Sequence, residues 1–116
     1  MSMIKPKKKP KHGNKKVEID GFKFDSKAEA ARYRELLLMQ KAGLISNLEL
    51  QVPFILAPGC VLDGRKKPPL KYIADFVYDE NGRSVVCDVK GKVTPIYRLK
   101  KHLMKTVLGL EINEIR

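Results

Sequence analysis

The chain has 116 residues, of which 24 are Lys or Arg and 13 are Asp or Glu, giving a formal charge of +11 at pH 7. This length leaves room for one small domain, and a hydrophobic content of 43% is enough to bury a modest core. The charge indicates a polyanionic partner, with nucleic acid favoured over a membrane surface. Two cysteines do not make a disulfide framework, and no apolar stretch resembles a membrane span or a secretory signal. We therefore expect a cytoplasmic protein with reduced thiols that does not enter a membrane.

Residues 1–16 differ in composition from the rest of the chain. They hold seven lysines and no acid, so residues 17–116 carry 17 bases against 13 acids and a charge of only +4. We predict that residues 1–16 are a disordered basic tail and that residues 17–116 form the folded domain. The tail is either a solubilising or localising arm or a non-specific clamp on phosphates.

Two local signals open the domain. Asp20-Gly21 lies between two short apolar runs and predicts a two-residue hairpin loop. A helix through Lys41 should follow, because Ser26 is a good N-cap and Glu29 stands three residues later, as in a capping box. Gly43 supplies the C-terminal stop.

The next segment is extended. Residues 45–56 alternate apolar and polar side chains and predict one or two strands, with Pro53 favouring an edge position or a break. Residues 57–70 are predicted to be a loop. Its basic stretch, residues 63–69, is either a solvated connector or a flap that contacts substrate.

The central hairpin places two acids side by side. If Asn81-Gly82 forms the loop, Glu80 faces Arg83, and counting back along both strands brings Asp75 opposite Asp88. Apolar residues occur on both faces, so this strand pair should lie at the centre of a layered domain. One face should carry Tyr72, Ala74 and Phe76 with Val85, Cys87 and Val89, and the other Ile73, Val77 and Val86.

The last elements are a helix and a strand. Thr94 as N-cap and Pro95 as the first helical residue predict a helix to about Leu108, and residues 110–115 predict a closing strand. The apolar stripe of this helix should be Ile96, Leu99, Leu103 and Val107. Its basic face, which either meets solvent or contacts phosphates, carries Arg98, Lys100, Lys101 and Lys105.

Asp75 and Asp88 need compensation. Directly opposed like charges destabilise a sheet, and an unpaired charge in an apolar sheet is costly. Lys90 projects on the same face as Asp88, so a salt bridge with one aspartate is the structural alternative, although it leaves the other aspartate unexplained. A Mg²⁺ or Mn²⁺ ion explains both, because it prefers carboxylate oxygens and lowers the pKa of a bound water. Lys90 would then orient or deprotonate that water, or stabilise charge on a phosphate.

Two further polar residues are candidates for the same site. Glu29 lies on the side of the first helix that turns toward the sheet, four residues before Tyr33 and seven before Leu36. Its alternative role is that of the capping-box partner of Ser26. Gln51 either bonds a metal-bound water or a nucleotide, or is an ordinary exposed strand residue.

The order of these residues resembles a known superfamily. Glu29 in the first helix, Asp75 in a strand and Asp88-Val89-Lys90 in the next strand resemble the PD-(D/E)XK nucleases, most of all small phage-encoded members long catalogued as a domain of unknown function. The sequence departs from the pattern at Ala74, where the name expects proline, and in its shorter acid before the lysine. The resemblance covers residues 17–116 and rests on residues 24–30, 48–51, 72–76 and 88–91.

The resemblance implies a fold and a set of site residues. The fold is α/β (α+β), a restriction-endonuclease-like mixed central sheet flanked by helices in a single small domain. The implied site consists of Asp75, Asp88 and the backbone carbonyl of Val89 as metal ligands, Lys90 as the catalytic lysine, Glu29 as an acid acting directly or through water, and Gln51 lining the site.

The leading functional hypothesis is a Mg²⁺- or Mn²⁺-dependent DNA endonuclease. Its small size suggests recognition of DNA shape, so branched DNA of the Holliday junction or flap type in phage recombination or replication would fit. A homodimer in the host-cell cytoplasm would supply two sites for paired cuts. The expected DNA contacts are Lys7, Lys8, Lys9, Lys11, Lys27, Arg98, Lys100 and Lys101. The alternatives are a non-catalytic basic nucleic-acid-binding module on a nuclease fold and a structural RNA-binding protein.

Overall fold

The computed structural model describes residues 16–116. The predicted tail lies outside the described residues, except for Lys16, and so do Lys7, Lys8, Lys9 and Lys11. The elements in chain order are β1 (Val17–Ile19), β2 (Phe22–Phe24), α1 (Lys27–Lys41), β3 (Ser46–Ala57), β4 (Cys60–Leu62), β5 (Arg65–Lys67), β6 (Leu70–Glu80), β7 (Arg83–Val89), α2 (Pro95–Leu108) and β8 (Ile112–Ile115).

The central sheet is mixed and has helices packed on its faces. Its strand order is β3-β6-β7-β8, with antiparallel pairs except for β7 and β8, which are parallel and are joined through α2. The predicted α+β architecture and the central position of the β6–β7 hairpin are therefore confirmed. β3 is an edge strand, as Pro53 suggests. No helix within residues 16–116 is long and apolar enough to cross a membrane.

Three tight turns share one conformation. Asp20-Gly21, Asp63-Gly64 and Asn81-Gly82 all have positive φ at both residues, which is the type I′ geometry that matches the twist of a hairpin. The first and third turns are as predicted. The second corrects the sequence analysis, because residues 57–70 were expected to be a loop, whereas β4 and β5 form a hairpin there. Asp63-Gly64 is itself a strong hairpin signal, and the surrounding prolines and bases obscured it.

The helix ends agree with the capping signals. The Ser26 Oγ accepts a hydrogen bond from the Glu29 amide at 3.1 Å, and the Thr94 Oγ1 accepts one from the Tyr97 amide at 3.2 Å. Gly109 follows α2 with a φ of +70°, the left-handed geometry that favours glycine after a helix. Local sequence therefore determines where both helices begin and end.

The buried face of α2 differs from the expectation. Of the predicted stripe, Leu103 is partly buried against the core. The side chains of Ile96, Leu99 and Val107 are instead 60%, 53% and 53% exposed. The residues that α2 buries are Tyr97 and Met104, one position further along the helix. Both helix faces carry apolar residues, so tertiary contacts of Tyr97, described below, decide which one is buried.

Two apolar clusters lie on opposite sides of the sheet. Val86 and Cys87 are consecutive in β7 but belong to different clusters, because successive strand side chains point to opposite faces. The α1 cluster contains Phe24, Ala30, Tyr33, Leu36, Ile45, Leu50, Phe76, Tyr78 and Cys87. The α2 cluster contains Leu56, Tyr72, Ala74, Val86, Tyr97, Met104 and Ile112.

In both β3 and β6, the regular alternation of side chains between the two faces of the sheet is interrupted at one position. In β6, Ala74 packs in the α2 cluster and Phe76 in the α1 cluster, so the change falls at Asp75. In β3 the change follows Leu50, where Gln51 has a left-handed φ of +55°. Asp75 and Gln51 lie opposite each other, since their neighbours pair as Leu50↔Phe76 and Val52↔Ala74. A non-glycine residue in this conformation costs about 1 to 3 kcal/mol.

The face assignment of the central hairpin is consequently wrong in part. Tyr72 and Ala74 were expected to lie with Phe76, but they pack with Val86 on the other side of the sheet. Ile73, expected to be covered, is 48% exposed. The prediction assumed an unbroken period of two, which a local change of twist abolishes.

Candidate active site

The turn of the central hairpin sets the positions of the two aspartates. The register runs from Glu80↔Arg83 to Phe76↔Cys87, and one further step brings Asp75 beside Asp88, as predicted. The Val89 amide donates a hydrogen bond to Asp75 Oδ2 at 3.0 Å, so a carboxylate takes the place of a strand carbonyl at this point. Asp75 and Asp88 are only 9% and 2% exposed. Two carboxyl groups thus meet inside the sheet.

A single oxygen of Asp88 binds two partners. The Tyr72 hydroxyl donates to Asp88 Oδ2 at 2.6 Å, and Lys90 Nζ lies 2.9 Å from the same oxygen. The salt bridge that the sequence analysis considered as the structural alternative is therefore present. It accounts for part of the charge of Asp88, while the pair of carboxyl groups remains in contact.

The environment of Asp88 disfavours its charged form. Burial raises the pKa of Asp88 to about 7, and a hydrogen bond and charge repulsion from Asp75 act in the same direction. Tyr72 and Lys90 act against the shift. Two neighbouring buried carboxyl groups cannot both ionise without compensation, and Lys90 contributes to that compensation here. A divalent cation would supply further compensation.

Lys90 is held between the aspartates and α2. Its ammonium lies 4.0 Å from the centroid of the Tyr97 ring, within the range of a cation–π interaction. The Tyr97 hydroxyl donates to Glu114 Oε2 at 2.6 Å, and Lys101 binds the same oxygen at 2.8 Å. Hydrogen bonds from Lys101 and Tyr97 lower the pKa of Glu114 to about 2. Tyr97 is thereby fixed as a platform beneath Lys90.

Glu29 and Gln51 meet on the α1 side of the same strands. Glu29 is 4% exposed, and Gln51 Nε2 donates to Glu29 Oε2 at 3.4 Å. Gln51 also lies opposite Asp75 in the register of β3 and β6. The Glu29 backbone amide donates a hydrogen bond to the Ser26 side chain and so takes part in the N-cap. The Glu29 side chain is turned toward the sheet. Both interpretations of Glu29 are compatible with this position.

The oxygen atoms around Asp75 and Asp88 are potential ligands for a divalent cation. Among residues 16–116, no three His, Cys, Asp or Glu side chains come close enough together to hold a metal ion between them. Asp75, Asp88 and the Val89 carbonyl would provide three hard oxygen donors. Mg²⁺ commonly uses one or two carboxylates and keeps several waters, so this set fits such an ion. Glu29 would act through water and Gln51.

The surface next to Lys90 is strongly basic. An open cleft of about 500 Å³ lies next to Gly91, the residue after Lys90. It is lined by four cationic side chains and one carboxylate. The residues lining it are Gly91, Lys92, Val93, Tyr97, Arg98, Lys101, Glu114 and Arg116. Of the expected DNA contacts, Arg98 and Lys101 line this cleft, Lys100 lies between them in the sequence of α2, and Lys27 is exposed at the start of α1.

Sequence reasoning missed three residues of this site. Tyr72 and Tyr97 were treated as apolar core or left unassigned, and Glu114 as part of the closing strand. A buried tyrosine usually needs a hydrogen-bond partner, and this rule applied to Tyr72 points to the nearby aspartates. Glu114 lies beside Asp88 only because β8 pairs with β7 in parallel, a pairing that no local signal predicts.

The fold and the site define a small α+β domain with a buried aspartate pair, a lysine and a basic cleft. The model of the family described as "Protein of unknown function (DUF1064)" matches residues 9–112, and the chain belongs to this family. Comparison with curated proteins and with solved structures finds no match.

Proposed function

We propose that this protein is a Mg²⁺- or Mn²⁺-dependent nuclease that hydrolyses phosphodiester bonds in DNA. The observation that carries the proposal is the contact between the buried carboxyl groups of Asp75 and Asp88, next to Lys90. Such a pair destabilises a sheet unless positive charge compensates it, and Lys90 offers one ammonium for two carboxyl groups. The sequence resemblance to the PD-(D/E)XK nucleases supports the same function.

Each residue has a role that follows from its contacts. Asp75 and Asp88, with the Val89 carbonyl, would hold the ion. When bound, the ion supplies Lewis acidity toward the phosphate and makes water more acidic. Lys90 would leave Asp88 Oδ2 to stabilise negative charge developing on the phosphate, or would donate a hydrogen bond that orients the attacking water. Gln51 and Glu29 would orient that water from the opposite side.

The basic cleft favours nucleic acid as the substrate. Arg98 and Lys92 line it beside Gly91 and would bind phosphates next to the scissile bond. The overall charge of +11 gives the same preference. We propose branched DNA, of the junction or flap type, because so small a domain has few elements for reading bases. Action in phage recombination or replication within the host-cell cytoplasm, and a homodimer that makes paired cuts, complete the proposal.

A second function is favoured by one observation. Lys90 already neutralises Asp88 at 2.9 Å, as expected of a hairpin whose charges have become structural. A non-catalytic basic module on the same fold would bind nucleic acid through the cleft and would need no ion. Its binding would be unaffected by chelators.

The test is cleavage of labelled four-way junction, flap and linear duplex DNA. Wild type, Asp75→Asn and the exposed control Glu18→Gln are compared with Mg²⁺, with Mn²⁺ and with excess chelator. The proposal predicts ion-dependent cleavage by wild type and Glu18→Gln, faster on branched DNA, and loss of at least about 10²-fold in Asp75→Asn. Absence of cleavage, with tight binding that survives chelator and Asp75→Asn, would establish the binding module instead. Equal rates on unbranched duplex would overturn the branched substrate alone.

A further inference from the structure

The β4–β5 hairpin is an exposed arm, separate from the central sheet. β4 and β5 pair only with each other and form a separate two-stranded sheet. Every residue from 58 to 71 is exposed. Val61 and Leu62, the apolar residues of β4, are 68% and 55% exposed. The arm therefore gains little stability from the core of the domain.

The arm is nevertheless preorganised. Asp63-Gly64 forms its type I′ turn, and the register Leu62↔Arg65 to Cys60↔Lys67 continues to its base. At the base, a Cβ on Gly59 would come within 2.7 Å of the Lys67 carbonyl oxygen, so only glycine allows this close approach. Pro68-Pro69 stiffens the return to β6. An exposed ribbon with a defined turn and a defined base is suited to bind something outside the domain.

The charge of the arm indicates what it binds. Residues 58–71 contain four bases, Arg65, Lys66, Lys67 and Lys71, and one acid, Asp63. None of these four bases forms an ion pair with another residue of the described chain. A narrow cationic ribbon of two strands has the width and the charge to enter the major groove of duplex DNA.

The arm is also at a suitable distance from the aspartates. Leu70 and Asp75 are five residues apart in β6, or about 17 Å, and the tip at Gly64 is at most about 20 Å further. One helical turn of B-DNA is about 34 Å. A duplex cleaved at Asp75 would therefore pass within reach of the arm less than about one turn from the cut.

We infer that the β4–β5 arm is a DNA-binding ribbon that enters the major groove of the duplex flanking the bond that is cleaved. The inference rests on the proposed function for the position of the cut, but the binding itself requires no catalysis. Arg65, Lys66 and Lys67 contact phosphates and base edges, and the apolar residues of β4 lie against the groove wall. The arm thus extends the binding surface beyond the cleft of α2.

The experiment compares two triple variants that remove the same charge. The arm variant is Arg65→Gln, Lys66→Gln, Lys67→Gln, and the control is Lys23→Gln, Lys41→Gln, Arg83→Gln, three exposed bases away from the arm. Affinity for a fluorescent duplex is measured by anisotropy in chelator, so that no cleavage occurs. The arm variant should lose at least about tenfold in affinity, and its log–log salt slope should fall by about 2 to 3. The control should lose less than about threefold.

A second readout identifies the groove. Methylation of guanine N7 lies in the major groove and that of adenine N3 in the minor groove. Guanine methylation should weaken wild-type binding at positions within one turn of the cleavage site, and the arm variant should lose this sensitivity. Equal affinity of both triple variants, or interference only from adenine N3, would overturn the inference. A change in the oligomeric mass of the arm variant without a change in DNA affinity would also overturn the inference. It would show that the arm is a contact between copies of the chain.

The outcomes separate this inference from the proposed nuclease. If binding depends on the arm but no divalent ion supports cleavage, the inference about the arm is supported and the proposed nuclease is contradicted. If wild type cleaves DNA and the arm variant binds DNA like wild type, the nuclease is supported and the inference about the arm is contradicted.

Discussion

The Lys90 ammonium lies 4.0 Å from the centroid of the Tyr97 ring while it binds Asp88. The ring and the carboxylate hold the ammonium at the same time. Because Tyr97 is held by Glu114, the platform is fixed relative to β7. Under the proposed function, the ring would keep part of the stabilisation of Lys90 when its bond to Asp88 Oδ2 breaks.

Two substitutions of Tyr97 distinguish the contribution of its ring from that of its hydroxyl. Tyr97→Leu removes the cation–π contact and should lower the single-turnover cleavage rate by about 3- to 30-fold. Tyr97→Phe keeps the ring and should lower it by less than about threefold. Rates are measured at saturating protein, with urea unfolding to confirm the fold. An equal loss in both variants would show that the hydroxyl, and not the ring, supports Lys90.

Replacement of Lys90 should affect cleavage and ion binding in opposite directions. Lys90→Met removes a cation beside Asp88, so the affinity for Mn²⁺ should rise by about tenfold. Cleavage should fall by about 10²- to 10³-fold, since charge on the phosphate is no longer stabilised. Titration calorimetry and cleavage kinetics give the two values, with Lys23→Met as an exposed control. A purely structural ion pair predicts lower stability with no gain in ion affinity.

The pKa of Asp88 gives a prediction about stability and pH. Because this pKa is raised in the folded protein, the folded state binds more protons than the unfolded state between pH 4 and about 7. The free energy of unfolding of the ion-free protein should therefore fall as pH rises through this window, by about 2 to 4 kcal/mol. Saturating Mg²⁺ at pH 8 should restore part of the loss. Urea unfolding in chelator at pH 5, 6.5 and 8 measures the effect.

Asp88→Asn is the control for this pH dependence. It removes the titrating group but leaves histidines and surface carboxyl groups in place, so its unfolding free energy should vary less between pH 5 and 8. An identical pH profile in Asp88→Asn and wild type would assign the dependence to other groups.

Gln51 offers a test of stored strain. Gln51→Gly relieves the left-handed φ of +55° and should raise the free energy of unfolding by about 1 kcal/mol, because glycine adopts this conformation without a steric penalty. Gln51→Ala keeps the strain and should not stabilise. Both variants lose the amide that reaches Glu29, so cleavage should fall in both. If cleavage is unchanged, Gln51 has only a structural role.

The local signals in the sequence predict much of this fold. Asn81-Gly82 fixes the register that joins Asp75 to Asp88, and Ser26 and Thr94 mark where the helices begin. These features depend on a few adjacent residues, which is why a single sequence is sufficient.

The features that were missed depend on distant contacts. The buried face of α2 follows from the bond between Tyr97 and Glu114, and Tyr72 reaches Asp88 because the alternation of β6 breaks opposite Gln51. Neither a period of two nor a period of 3.6 contains this information. The arm was missed for another reason, since Asp63-Gly64 is a local signal that its basic, proline-containing surroundings outweighed.

The most direct test of the account is whether the aspartate pair binds a divalent cation. Electron paramagnetic resonance measures free Mn²⁺ as protein is added, for wild type, Asp75→Asn and Asp63→Asn. The account predicts that wild type and Asp63→Asn bind Mn²⁺ with equal affinity, that Mg²⁺ competes, and that Asp75→Asn loses the site. Wild-type protein that leaves all Mn²⁺ free at millimolar concentration, with and without DNA, would contradict it.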